Sequence, residues 1–226
     1  MIELIFAIVV MGIVMLSVPM VLSQSSKSIY TGLQQEAIAA ISAQMAIITT
    51  YHWDENDTNL SLGSPILETN STNAGLQENG STGRRVGMPQ NSARTYRINT
   101  GGRLSASAIG LNSDENSSIE TFDDIDDFNG GSIALTSEST STENGDYIDK
   151  NITITTSIGY GEDNVDFNAS SITFNALSPS ATGTTNIKNI TLVLTTNNTE
   201  VELEKNITMR AFSCNIGSYK LNTRLY

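Results

Sequence analysis

The densest group of chemically active side chains in this sequence is the acidic segment FDDIDDFNG at residues 122–130. Carboxylates followed by an amide are oxygen donors of the kind that a hard cation such as Ca²⁺ binds, although their spacing differs from that of an EF-hand loop. The apolar residues recur at every third position, which predicts a helical or 3₁₀ face anchored by them, with the aspartates turned outward. A cation site and a solvated acidic turn both fit this pattern. The candidate ligands are Asp123, Asp124, Asp126, Asp127 and Asn129.

The composition leaves little room for catalysis. The chain contains one histidine, His52, and one cysteine, Cys214, too few for a zinc site without carboxylate ligands. It shows no Ser-His-Asp spacing, no P-loop and no glycine-rich nucleotide fingerprint. Cys214 lies in the apolar-leaning segment RAFSCNIG, which favours a buried small hydrophobe over a nucleophile. We therefore predict that the protein is not an enzyme and has no cofactor other than a bound Ca²⁺ or attached glycans.

The net charge disfavours nucleic acid as a partner. The 226 residues include 24 acidic and 12 basic side chains, for a formal charge of −12, whereas phosphate binding requires a positive surface. Five of the 12 cations nevertheless fall within residues 84–103. They are interpreted as scattered charges on a solvated loop and strand, with a patch for an anionic partner as the alternative. These residues are Arg84, Arg85, Arg94, Arg97 and Arg103.

Asn-x-Ser/Thr triplets form a second pattern. They occur at ten positions, a count that carries little weight in a chain rich in Asn and Thr. Three of them, at Asn79, Asn189 and Asn197, lack an acidic residue two positions earlier. The other seven have Asp or Glu there, where 24 acidic residues among 226 predict about one in ten. These seven are Asn56, Asn59, Asn70, Asn116, Asn151, Asn168 and Asn206.

The extended triplet resembles the acceptor Asp/Glu-x-Asn-x-Ser/Thr of bacterial N-glycosylation in the Campylobacter group. The resemblance implies N-linked glycans at the seven positions, on a surface protein of a bacterium of that group. The alternative is a surface whose composition is biased towards Asp, Asn and Ser.

The first 22 residues, MIELIFAIVVMGIVMLSVPMVL, form an apolar run with a single carboxylate, Glu3, near its start. From Leu4 to Leu22 the only polar side chain is Ser17. A helix of that length spans about 28 Å, close to the hydrocarbon thickness of a bilayer. An ordinary secretory signal is disfavoured, because no Lys or Arg precedes Lys27. The run therefore predicts a membrane-inserted helix with an unusual charge at one end.

The string IELIFAIVVMGIV resembles the N-terminal signature of bacterial type IV pilins and type II secretion pseudopilins. The resemblance covers residues 1–25 strongly and residues 26–50 by pattern alone. It implies that Glu3 recruits the subunit to a growing filament by neutralising the amino terminus of a neighbouring subunit. An unpaired carboxylate is costly in a dry helical core, so this pairing would fix the axial register. Gly12 and Pro19 match the family's mid-helix segment, which often loses helicity in filaments.

The same resemblance implies processing and a location. In this family a leader peptide, a cleavage-site Gly and a methylated Phe precede the Ile-Glu pair, so the true start is expected to lie before Met1. The subunit is expected in the inner membrane before assembly, and in a periplasm-spanning filament or at the cell surface afterwards. The implied partners are copies of itself or sister pilins through the N-terminal helix, the membrane, and the pilus assembly machinery.

A long helix must carry these N-terminal residues. Apolar and small residues recur every three to five positions beyond the membrane span, so we predict one helix over about residues 3–51, kinked or broken near Pro19. Residues 1–25 form its membrane or filament-core part, and residues 26–53 its amphipathic continuation. The predicted apolar stripe of this continuation is Ile29, Leu33, Ile38, Ile41, Met45 and Ile48.

Residues 54–226 are predicted to form a β-rich head. It starts with a long Asn/Ser/Thr-rich connection at residues 54–103, in which RTYRIN is the best strand candidate. Asn197-Asn198 predicts a hairpin turn, and alternating residues predict an antiparallel sheet of four or more strands on the second half of the helix, an α+β fold. The strand segments are KNITITTSIGY, SSITFNA, NIKNITLVLTT and TEVELEKNITMRAF.

These features predict a structural subunit of a type IV pilus or pseudopilus. Its length favours a minor over a major subunit, whereas a glycan-coated surface would suit a major one. Pilus, secretion and DNA-uptake systems all remain open as the machine it serves. The alternative is a single-span, surface-anchored adhesin or binding module that does not polymerise.

Overall fold

The computed structural model describes residues 2–58, 63–71, 73–79, 83–89, 94–96, 102–136, 151–164, 169–171, 177, 182–196 and 204–218. Within them, the helix α1 spans Ile2–Ile48. The strands that follow are β1 (Glu78–Asn79), β2 (Arg84–Arg85), β3 (Ser132–Thr136), β4 (Asn151–Tyr160), β5 (Ile187–Thr196) and β6 (Asn206–Cys214). Short 3₁₀ turns occur at Glu55–Asp57, Ala74–Leu76, Ile119–Thr121 and Asp126–Phe128.

Helix α1 is continuous over 47 residues, about 70 Å at 1.5 Å per residue. It passes through Pro19 without interruption, so the predicted break at this proline is absent. A proline in a helix removes one backbone donor, here the one that would reach the carbonyl of Met15. One turn earlier the hydroxyl of Ser17 donates to the carbonyl oxygen of Val14 at 3.0 Å. The helix ends three residues before the predicted boundary at Tyr51, whose N–H closes a final turn onto the carbonyl of Ile48.

The two halves of α1 have opposite environments. Every residue from 2 to 29 is exposed, including the whole apolar run. The buried positions all lie in the second half: Ala37, Ile41, Gln44, Met45 and Ile48. Their spacing of three or four residues places them on one face of the helix. The last three apolar positions of the predicted stripe are confirmed, but Ile29 and Ile38 are exposed, because the contact face passes through the small residue Ala37.

The head is built on a four-stranded sheet of order β3-β4-β5-β6, in which all neighbours are antiparallel. Helix α1 packs against β5 and β6. The predicted α+β architecture, with an antiparallel sheet on the second half of the helix, is therefore confirmed. The core between helix and sheet contains Ala37, Ile41, Met45, Ile48, Ile125, Phe128, Ile152, Ile154, Ile158, Ile190, Leu192 and Leu194.

The individual strand predictions differ in outcome. Strands β4 and β5 occupy their predicted segments, whereas β6 begins within its own and ends two residues beyond it. The predicted hairpin residues Asn197 and Asn198 lie outside the described residues, although β5 and β6 do pair antiparallel. In the other two candidates, residues 94–96 and 170–171 are not in strands, and the remaining positions lie outside the described residues. Strand β3 was not predicted, because its sequence SIALT is short and flanked by Gly and Ser.

The end of α1 brings two chain segments together. The carbonyl of His52 accepts a hydrogen bond from the backbone N–H of Ile125 at 3.0 Å. His52 and Asp124 also form an isolated parallel bridge. The acidic segment 122–130 therefore lies beside the 3₁₀ turn Glu55–Asp57, close to the end of β4 and the start of β5.

Candidate functional site

The acidic segment turns its aspartates into the protein, so the prediction of an outward acidic face is wrong. Asp124 and Asp126 are 0% exposed and Asp127 is 2% exposed, whereas Asp123 is half-buried. The prediction assumed that one side of the 3₁₀ turn faces water. Both sides are packed instead, since the turn lies between the end of α1 and the sheet.

The apolar half of the same prediction is confirmed. Ile125 and Phe128 belong to the hydrophobic core, and Phe122 packs against it. The Phe128 ring makes edge-on contacts with Tyr51 and with Phe122, with centroid distances of 4.9 Å and 5.0 Å. Such aromatic pairs hold the turn in a fixed orientation.

Two of the aspartates stabilise the backbone of their own turn. Asp124 Oδ1 accepts from the N–H groups of Asp126 and Asp127, at 2.6 Å and 3.2 Å. Asp127 Oδ2 accepts from the N–H groups of Asp123 and Asp124, at 2.9 Å and 3.0 Å. Short acidic side chains commonly bind nearby backbone donors in this way. One oxygen of each carboxylate is thereby fixed, while Asp124 Oδ2 and Asp127 Oδ1 are buried with no hydrogen-bond partner among the described residues.

A fully buried lysine lies at the centre of this region. Alternation along β5 places Lys188 on the same face as the core residues Ile190, Leu192 and Leu194. Lys188 is 0% exposed, and its direct cross-strand neighbour on β4 is Tyr160. A charged side chain therefore occupies a position where the strand pattern calls for an apolar one.

The ammonium of Lys188 has three acceptors. Its Nζ lies 2.6 Å from Asp126 Oδ2, 2.9 Å from Asp54 Oδ2 and 2.6 Å from the carbonyl oxygen of Trp53. These match the three donors of an ammonium group. The same nitrogen lies 4.2 Å from the ring centroid of Trp53 and 5.6 Å from that of Tyr160, distances suited to cation–π attraction. A buried charge that is paired and fully hydrogen-bonded in this way is tolerated inside a protein.

Burial raises the pKa values of the surrounding acids. Desolvation raises the pKa of Asp126 to about 7, against the opposing pull of Lys188. The pKa of Asp124 is raised to about 8, first by desolvation and then by the charge of Asp126. Desolvation followed by the charge of Asp126 also raises the pKa of the Tyr160 phenol. The region therefore holds more acidic groups than one lysine can neutralise.

A second group of carboxylates lies on the outer side of the same turn. Glu55, Glu115 and Asp123 each place one carboxylate oxygen within 4.8 Å of the other two. All three side chains are half-buried. Each has a buried oxygen without a hydrogen-bond partner among the described residues, namely Glu55 Oε2, Glu115 Oε1 and Asp123 Oδ1. With Asp127, which contacts Glu115, they form what we call the outer carboxylate cluster.

Electrostatics in the outer carboxylate cluster are repulsive. The pKa of Glu55 is raised to about 7, first by desolvation and then by the charge of the neighbouring Asp123. The pKa of Glu115 is also raised to about 7, mainly by desolvation, with contributions from Asp127 and Asp123. A hydrogen bond from the backbone N–H of Asn112 opposes this rise. The four carboxylates therefore need a shared proton or a cation to remain close together at neutral pH.

The five predicted cation ligands do not meet at one site in the structure. Asp123 and Asp127 join the outer carboxylate cluster, whereas Asp126 pairs with Lys188. Asp124 binds the backbone of its own turn. The side-chain oxygen of Asn129 accepts from the N–H of Ile158 at 2.9 Å and ties the turn to β4.

Sequence reasoning missed Glu55, Glu115 and Lys188. Lys188 could have been found from β5 itself, because alternation places it on the face of three large aliphatic residues. Glu55 directly follows Asp54, and both lie just beyond the predicted helix, which ends at about residue 51. No sequence signal indicates that Glu115 reaches this site, since loop geometry brings it there.

The remaining chemically notable residues have structural roles. His52 Nδ1 lies 3.0 Å from Asp57 Oδ1, and desolvation raises the pKa of this aspartate to about 6, against the pull of His52. Burial raises the pKa of the Cys214 thiol, and this half-buried side chain fits the predicted small hydrophobe. Arg85 donates to Asn186 and Arg103 pairs with Glu68, so two members of the arginine-rich segment have partners within the chain.

The Asn-x-Ser/Thr triplets, or sequons, differ in the exposure of their asparagine side chains. Of the seven with an acidic residue two positions earlier, four have described side chains, and all four are exposed. Asn189, a sequon without that acid, is 1% exposed. Asn59 and Asn168 lie outside the described residues, and Asn151 is described in its backbone only. The four exposed residues are Asn56, Asn70, Asn116 and Asn206.

The predicted assembly residues lie on the exposed half of α1. Glu3 is in its first turn, and Gly12 and Pro19 follow within the apolar run. A Cβ added at Gly12 would meet no atom within 4 Å. Within the described residues, α1 alone is long and apolar enough to cross a membrane, with a mean hydropathy of 2.8 in its most apolar stretch.

In comparisons with known proteins, no protein-family model, no curated protein and no solved structure matches the chain.

Proposed function

We propose that this chain is a structural subunit of a type IV pilus or pseudopilus. Helix α1 holds it in the inner membrane, and the subunit then assembles into a helical filament that reaches the cell surface. The observation that carries the proposal is the exposed half of α1, whose apolar run is about 28 Å long and is not covered by the described residues of the head.

The exposed half is too apolar for water. Large aliphatic, aromatic and methionine side chains surround it on all sides, and Leu16 is 80% exposed. A helix that is apolar all round belongs in lipid or in a bundle of similar helices. Lipid satisfies it before assembly, and copies of the same helix satisfy it in a filament.

Glu3 favours the filament over a simple membrane anchor. It is the only charged residue before Lys27, and it lies at the start of an apolar run. A carboxylate in such a segment requires a partner, and the amino terminus of a neighbouring subunit supplies one of opposite charge. Pairing between subunits would set their axial spacing.

The test is Glu3→Ala in cells that make the chain together with its assembly machinery. Membrane insertion is expected to persist, because the apolar run is unchanged. The protein in sheared surface filaments is expected to fall by roughly tenfold or more, since the neighbouring charge loses its partner. Immunoblots of the carbonate-washed membrane and of the sheared fraction measure both quantities.

The matched control is Glu36→Ala, which removes the other acidic residue of α1 from the exposed side of its second half. This variant is expected to enter filaments normally. If Glu3→Ala enters filaments as well as the unmodified chain does, the proposed pairing of Glu3 with a neighbouring subunit is wrong. Absence of the unmodified chain from sheared material would instead support a single-span adhesin or binding module.

We also propose that the head carries N-linked glycans. The supporting observation is that the four acid-preceded sequons with described side chains are all exposed, while the acid-free Asn189 is buried. Asn56 Nδ2 donates to the carbonyl of Ser105 at 2.8 Å. A glycan-linked amide retains one N–H, so this bond is compatible with modification.

The intact mass of the native protein tests the glycan proposal. The mass is expected to exceed that of the bare chain, and Asn206→Gln is expected to lower it by one glycan. Glu204→Gln keeps the triplet but removes the acid, and it is expected to lower the mass equally. A native mass equal to that of the bare chain would contradict the proposal.

A further inference from the structure

We propose that Glu55, Glu115, Asp123 and Asp127 bind one Ca²⁺ ion, because three chain segments bring their carboxylates together at the end of α1. The proposal concerns the outer carboxylate cluster and does not depend on filament assembly. It differs from the ligand set predicted by sequence, in which all residues came from the acidic segment.

Asp127 provides the observation that points to an ion. It is 2% exposed, and two backbone N–H groups hold its Oδ2. Its other oxygen, Oδ1, is buried and has no hydrogen-bond donor among the described residues when Asp127 and the adjacent Glu115 are both ionised. An ionised acceptor fixed against another carboxylate is costly unless the two share a proton or a cation lies between them, and a cation is what lets both stay ionised at neutral pH.

The spacing of the oxygens suits Ca²⁺. One oxygen from each of Glu55, Glu115 and Asp123 lies within 4.8 Å of the others. Ligands on opposite sides of Ca²⁺ lie about 4.6–5.2 Å apart, given Ca–O distances of 2.3–2.6 Å. Mg²⁺ needs shorter distances of about 2.0–2.1 Å and a near-ideal octahedron, which carboxylates from three separate segments do not readily form.

The charge around the outer carboxylate cluster is negative, and a bound cation would neutralise part of it. The charges that act most strongly on Glu55 are all negative: Asp123, Asp114 and Asp127. Lys188 is already bound to Asp54 and Asp126 on the inner side of the turn. A divalent ion would therefore replace repulsion by attraction among the four carboxylates.

The ion would have a structural role. Glu55 belongs to the 3₁₀ turn after α1, Glu115 to the loop at residues 112–116, and Asp123 and Asp127 to the acidic segment. An ion bound to all of them would fix the loop to the end of the helix. Metal bound only by the folded chain stabilises that chain by mass action.

Thermal unfolding of the full detergent-solubilised chain, with CaCl₂ or with EDTA, tests the proposal. Trp53 is the single tryptophan and lies two residues from Glu55, so its fluorescence reports on this region. Ca²⁺ at about 100 times its Kd is expected to raise the Tm by roughly 5–10 °C. Tb³⁺, which binds oxygen ligands in the same way, is expected to show luminescence sensitised by Trp53 that Ca²⁺ displaces.

Two variants distinguish Ca²⁺ binding at this site from a general effect of the negative charge of the chain. Glu115→Gln removes one ligand and also relieves repulsion, so folding in EDTA is expected to persist while the Ca²⁺-dependent shift in Tm is lost. Glu120→Gln removes the same charge from an exposed position five residues away and is expected to keep the shift.

An unchanged Tm of the unmodified chain in millimolar CaCl₂ would overturn the proposal. A full Ca²⁺ shift in Glu115→Gln, or equal Tb³⁺ luminescence in Glu115→Gln and the unmodified chain, would also overturn it.

Discussion

The first half of α1 and the interior of the head invert the usual distribution of residues. Aliphatic side chains such as Leu16 and Ile13 are 80% and 63% exposed, whereas Lys188 and Asp126 are 0% exposed. The lysine is stable inside because its partners come from the same chain. The apolar helix finds no such partners among the described residues of the head, so its partners are expected to be lipid or other subunits. In this molecule, whether a side chain is buried therefore depends on the groups available to pair or pack with it, and not on residue type alone.

The largest expected effect comes from removing the charge at the centre of the head. Lys188→Met leaves the carboxylates of Asp54 and Asp126 buried without their cation, which is expected to cost about 3–5 kcal/mol of unfolding free energy. Urea unfolding followed by Trp53 fluorescence measures the loss. Lys27→Met, which removes the same charge from an exposed position of α1, serves as control. Equal stability of the two variants would show that the buried charge network does not stabilise the head.

Next in size is the contrast between two isoleucines of the same helix. Ile41→Ala is expected to lower the unfolding free energy of the head by about 2–5 kcal/mol, because Ile41 is fully buried in the core. Ile13→Ala is expected to change it by less than about 0.5 kcal/mol, since Ile13 is exposed on the half of α1 that the described residues of the head do not cover. Both variants are measured by urea unfolding in the same detergent. A comparable loss in Ile13→Ala would mean that the head covers the apolar run.

The smallest effect is a dependence of stability on pH in EDTA. Glu55, Glu115 and Asp126 have pKa values of about 7 when folded, above the ordinary values of 4.5 for Glu and 3.8 for Asp. At a pH between the unfolded and the folded pKa values, the folded chain binds more protons than the unfolded chain. The free energy of unfolding is therefore expected to fall as the pH rises from about 4 to 7. The Tm, measured across this range, reports the slope.

Bound Ca²⁺ is expected to weaken this dependence of stability on pH. Saturating CaCl₂ is expected to remove the part of the fall that Glu55 and Glu115 cause, because the ion favours their ionised forms. Glu115→Gln in EDTA is expected to show a shallower fall than the unmodified chain. Stability in EDTA that rises with pH over the same range would contradict the raised pKa values.

The sequence predicted the parts of the fold that follow from periodicity. The long helix, the alternation in β4 and β5, and the apolar spacing around Ile125 were all visible as patterns with a physical period. The inward aspartates were not, because the three-residue spacing does not reveal that Lys188 lies opposite. The proposed calcium ligands were found only in part, since Glu55 and Glu115 come from segments that meet through loop geometry. Of the two predicted outcomes at Pro19, a kink or a break, the break is absent, because one missing N–H leaves the neighbouring helical bonds in place.

The central claim is that the exposed half of α1 is the surface through which subunits assemble. High-resolution electron cryomicroscopy of native sheared filaments tests it most directly. We expect a filament whose core contains residues 2–29 of this chain packed against equivalent helices, with Glu3 beside the start of a neighbouring helix and the sheets outside. Filaments whose core helices belong only to other chains, with this protein retained in the membrane fraction, would contradict it.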